Sequence, residues 1–89
     1  MGDVAATIRV MPESVETDLD ELKNKLEAVI PEGAKLFGSR IEPVAFGLKA
    51  LIMVIMVGDI EGGTEQVESA FATVTGVESV QVTEVGRPV

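Results

Sequence analysis

The chain has no cysteine, no histidine, no tryptophan and no tyrosine. Without cysteine and histidine it can form no disulfide, no thiolate zinc site, no Ser-His-Asp triad and no Cys-His nucleophile. Aromatics are limited to three phenylalanines, and basic residues number 7 against 15 acidic ones, for a net charge of -8. That balance repels phosphate backbones and argues against direct nucleic-acid binding; a basic protein partner suits it better. The longest uninterrupted apolar run, Ala50 to Val57, is less than half of what a membrane-spanning helix needs. No charged n-region, apolar h-region and cleavage site opens the chain, so the expectation is a soluble, cytoplasmic protein. Eighty-nine residues are enough for one core and too few for two, so residues 1–89 read as a single domain.

What is present is strongly patterned. Val4, Ala6, Ile8 and Val10 alternate with Ala5, Thr7, Arg9 and Met11, the period of a strand with one buried face, and Pro12 ends it. Thr17 followed by Asp20 fits a capping box, after which Leu19, Leu22, Leu26, Val29 and Ile30 form one helical stripe. The opposite side of that helix carries Asp18, Asp20, Glu21, Lys23, Lys25 and Glu27, with a Glu21 to Lys25 pair at i, i+4, and reads as a solvated face. Pro31 and Gly33 close the helix.

The stretch from Leu36 to Val57 organises the rest. A second strand runs from about Lys35 to Phe46 and contains Pro43, which cannot donate to a ladder and belongs on an edge or at a bulge. Gly47 turns it into a third strand, Leu48 to Val57, apolar everywhere except Lys49 and therefore central in its sheet. A second helix starts near Gly63, with Val67, Ala70, Phe71 and Val74 as its buried stripe; Gly76 ends it, and Val77 to Val85 alternate again.

The order strand, helix, strand, strand, helix, strand predicts a ferredoxin-like α+β fold, βαββαβ, with a four-stranded antiparallel sheet of order 4-1-3-2 and two helices on one face. The third strand sends Leu51, Met53, Ile55 and Val57 to one side and Leu48, Ala50, Ile52, Val54 and Met56 to the other. Whichever set is not under the helices is a candidate contact surface, unless strand twist and long neighbouring side chains cover it. An RNA-binding platform on this fold needs stacking aromatics on the central strands and basic flanks, and the sequence has neither. Gly62-Gly63-Thr64 reads as a helix cap among glutamates, and Asp59 with Glu61 falls short of a calcium cage. No metal or cofactor is implied. Two residues stand out: Phe46, a large apolar side chain at a turn that either folds back or meets a partner, and Arg87, the only cation after Lys49, which on the residues alone reads as part of a solvated tail before it reads as a contact with a partner's phosphate or metal site.

These residues carry a resemblance. Leu36-Phe37-Gly38-Ser39 followed by Ile41-Glu42-Pro43-Val44-Ala45-Phe46-Gly47-Leu48-Lys49-Ala50-Leu51 is similar to the signature of the guanine-nucleotide exchange domain of translation elongation factor 1-beta. Glu16 to Leu22 resembles the family's first helix and Val80 to Val85 its last strand, and the length matches the archaeal form. The resemblance implies an exchange factor without an active site of its own. Its partner would be the GTPase elongation factor 1-alpha in its GDP form. The family's docking aromatic falls on Phe46, flanked by Gly47 and Lys49 of the same motif. The family's lysine near the C-terminus, which intrudes at the magnesium site, has no counterpart, and Arg87 is the cation that could replace it. The family's Trp-Gly is Phe37-Gly38 here. A self-associating or ligand-binding ferredoxin-like module is the competing expectation; the exchange factor is expected to be a monomer when free.

Overall fold

The computed structural model describes residues 4–45, 47–58 and 63–86. Its elements are β1 (Val4–Pro12), α1 (Leu19–Ala28), β2 (Ala34–Ala45), β3 (Leu48–Val57), α2 (Gly63–Ala72) and β4 (Val77–Gly86). The sheet has the order β2-β3-β1-β4 with every neighbouring pair antiparallel, which is the expected order read from the other edge. Ala6, Ile8 and Val10 of β1 pack with Leu51, Met53, Ile55 and Val57 of β3, Leu22 and Leu26 of α1, and Val67 and Phe71 of α2 in one cluster. Both helices therefore lie on one face of the sheet, because alternate residues of each strand must share it.

The alternation decides which side each strand buries, and the register fixes the partners: Ile8 lies opposite Met53 and Val82, and Val10 opposite Leu51 and Val80. Pro43 sits on the edge strand, as expected, and beside a register shift between Pro43 and Ala45. A second shift, between Leu36 and Gly38, leaves Phe37 without a cross-strand partner and 67% exposed.

One local expectation is corrected. Asp18, not Thr17, caps α1: its Oδ1 accepts from the backbone N–H of Asp20 at 3.0 Å and of Glu21 at 3.2 Å. The Thr17 hydroxyl oxygen instead accepts from the Ser14 N–H at 3.3 Å and tightens the β1–α1 turn. Capping at Asp18 still turns Leu22 and Leu26 onto the sheet. The Glu21–Lys25 pair forms at 3.4 Å beside a Lys23–Glu27 pair at 3.6 Å; exposed pairs of this kind contribute about 0.3–0.5 kcal/mol each, so they dress the helix and do not fold it.

The face of β3 without helices is the Leu48, Ala50, Ile52, Val54, Met56 side. It is only partly open: Ala50 is 0% and Ile52 3% exposed, while Leu48, Val54 and Met56 are half-buried. Ile52 is covered without a helix, and its cross-strand neighbours are Arg9 and Arg40, side chains with long aliphatic stems.

Candidate partner-binding site

The β2–β3 hairpin closes in two residues, since Ala45 pairs with Leu48. Gly47 holds φ at 82°, in the left-handed region where a side chain is disfavoured. Phe46, the predicted anchor, lies outside the described residues; Ala45 and Gly47 are at the hairpin end of the sheet. Lys49 stands opposite Pro43, exposed, and makes no ion pair among the described residues.

Beside the hairpin lies a groove of about 290 Å³ between Ile41, Gly47 and Lys49 on one wall and the β1–α1 turn with Val15, Asp18 and Asp20 on the other. Val15 is 62% exposed, Ile41 46% and Val44 40%. Three apolar side chains thus stand in water at the same end as Gly47, and the sequence reading missed them. A signal was present for two: Ile41 and Val44 bracket Pro43 on an edge strand, where no outer neighbour can cover them. Val15 gave less, being one valine in an acidic turn.

Arg87 also lies outside the described residues. Gly86, which leads into it, pairs with Ala5, and Ala5 pairs with Met56 near the end of β3. The hairpin precedes the first residue of β3. Ten strand residues at about 3.3 Å each put the two ends of the sheet roughly 30 Å apart. The structure therefore groups Gly47 and Lys49 and separates them from Gly86. At that far end a second notch of about 340 Å³ is lined by Gly33, Ala34, Lys35, Met56 and Gly58.

Among the described residues there is no group of three or more carboxylates arranged to hold a metal ion; Asp59 and Glu61 lie outside them. No described helix is long and apolar enough to cross a membrane.

The described residues form a ferredoxin-like domain with exposed apolar side chains gathered at its hairpin end. Residues 5–87 match the model of the EF-1 guanine nucleotide exchange domain, and the chain belongs to that family, in its archaeal elongation factor 1-beta form. It is 74% identical over 89 residues to elongation factor 1-beta of Methanococcoides burtonii, covering both chains completely. It is 58% identical to that of Haloarcula marismortui, covering 98% of this chain and 99% of the other, and 51% identical to that of Methanothermobacter thermautotrophicus, covering 98% of each. The C-terminal domain of the MgtC protein from Mycobacterium tuberculosis, a solution structure, shares the fold alone. It aligns with a TM-score of 0.60 at 17% identity over 90% of this chain and 85% of that one.

Proposed function

We infer that the chain is a guanine-nucleotide exchange factor that speeds GDP release from the GTPase elongation factor 1-alpha in the cytoplasm, acting as a monomer through contact and not through chemistry of its own. The observation that carries this reading is the family match across residues 5–87, and the exposed Val15, Ile41 and Val44 beside the Phe46-Gly47 turn supply a surface for it. The physical logic is linkage. A factor that lowers nucleotide affinity is itself bound less tightly by the nucleotide-loaded GTPase, so incoming GTP expels it. Magnesium contributes much of a GTPase's hold on the β-phosphate, so disturbing it lowers the barrier to GDP release with no covalent step.

In this reading Phe46 is the docked anchor, with Gly47 giving the turn and Lys49 a charge of the same motif, and Arg87 reaches toward the magnesium region. The hairpin at Gly47 and the end beside Gly86 lie roughly 30 Å apart, the span of a partner that meets both ends. The test is release of a fluorescent GDP from archaeal elongation factor 1-alpha, with magnesium present and this protein at catalytic amounts. Accelerated release with turnover is expected. No acceleration of a competent GTPase would leave a shared fold without the activity.

A further inference from the structure

The helix-free face of the sheet is unlike the rest of this acidic molecule, and its rows can be read from the register. Ile52 lies between Arg9 and Arg40, Val54 between Thr7 and Gly38, and Met56 between Ala5 and Lys35. Val54 and Met56 are half-buried, and Thr7, Gly38 and Ala5 beside them are small. A Cβ on Gly38 would meet nothing within 4 Å. The outcome is open space over Gly38 beside the apolar Val54, a hollow on a face that also carries Met56, Arg9, Arg40 and Lys35.

Glu42, paired with Arg40 at 2.8 Å, and Glu84, opposite Thr7, share this face. Cations still outnumber carboxylates across these rows, in a chain of net charge -8. On α1 both lysines are engaged by glutamates, whereas Arg9 and Lys35 make no ion pair among the described residues. Location adds to charge. The face runs from the hairpin end to the end beside Gly86, so a partner touching both ends of the sheet lies along this face, along the helices or along the β2 or β4 edge. The helical side presents Asp20, Glu21 and Glu27 and would repel an acidic surface; the sheet side would attract one.

We propose that the helix-free sheet face is a third contact with the GTPase, lying between the two ends and receiving an acidic patch of that protein with one apolar side chain in the hollow beside Gly38. This rests on the exchange-factor reading above. Arg9 and Lys35 supply the charge for that patch, and Val54 with Met56 the apolar surface.

The test measures GTPase affinity by calorimetry over a salt series, alongside GDP release, for the wild type and four variants. Arg9→Gln and Arg9→Gln/Arg40→Gln remove cations from the face, Gly38→Val fills the hollow, and Lys23→Gln on α1 removes an equal charge elsewhere. Melting temperatures show that each is folded. We expect binding weaker by about three- to tenfold for Arg9→Gln, with a flatter salt dependence, and by about tenfold for Gly38→Val, while Lys23→Gln stays within about twofold. Gly38→Val binding like wild type, or Lys23→Gln as damaging as Arg9→Gln, would overturn the proposal while leaving exchange activity standing. A dimer in sedimentation that Gly38→Val dissolves would also overturn it, assigning the hollow to a second copy. A wild type that does not speed GDP release would instead sink the exchange-factor reading, and this proposal with it.

Discussion

Phe71 is 0% exposed and belongs to the single core cluster that both helices and the sheet share. Phe71→Ala should cost about 3–5 kcal/mol, against a total stability of about 5–15 kcal/mol for a domain of this kind. Urea denaturation should therefore find the variant close to unfolded in water; a loss below about 1 kcal/mol would mean that the core closes around the gap. Glycines separate a backbone effect from a packing effect. Gly47 and Gly38 both have open space where a Cβ would go, but only Gly47 has a positive φ. Gly47→Ala should lower stability by about 1 kcal/mol and Gly38→Ala by close to nothing, read from urea midpoints. Equal losses would remove the left-handed turn as the reason for glycine at the hairpin.

At the scale of elements, most of the fold was legible because local and global signals agree. β1 and β4 alternate, β2 is marked by Pro43 and the turn at Gly47, and β3 is apolar on both sides because it is inside the sheet; both helical stripes met the face the topology required. The start of α1 was not legible. Thr17 with Asp20 and Asp18 with Glu21 both satisfy the same cap spacing, and either choice leaves the leucine stripe facing the core. Sequence does not break that tie, whereas the hydrogen bonds from Asp20 and Glu21 to Asp18 do. Asp18→Ala should destabilise by about 1 kcal/mol and Thr17→Ala by clearly less, measured by thermal melts. The reverse order would return the cap to Thr17. The open side of β3 was unreadable for a related reason: both of its faces are apolar, so only packing reveals that Leu51, Met53, Ile55 and Val57 meet the helices. At the hairpin, the motif around Phe46, Gly47 and Lys49 was visible in sequence, but Val15 comes beside it only through the fold.

At the scale of the whole molecule, the two ends of the sheet set how the proposed contacts combine. The molecule measures 41 Å along its longest axis, and β3 runs without a break from the hairpin to the end beside Gly86. Contacts made from ends of the sheet so far apart should act independently, each on its own part of the partner. Phe46→Ala is expected to weaken GTPase binding by about 2 kcal/mol, as the loss of a docked aromatic anchor, and so to raise the factor concentration needed for half-maximal exchange. Arg87→Ala is expected to slow exchange at saturation with binding nearly intact, because its role lies at the magnesium region and not in holding the complex. The double variant should then show both losses, and their free energies should sum to within about 0.5 kcal/mol. Titration of GDP release against factor concentration resolves the two parameters in one experiment. If Arg87→Ala lost binding and rate equally, it would be an ordinary contact. If the double variant were no worse than the worse single one, the two ends would be acting as one unit, and exchange would depend on the partner being held at both before either has any effect.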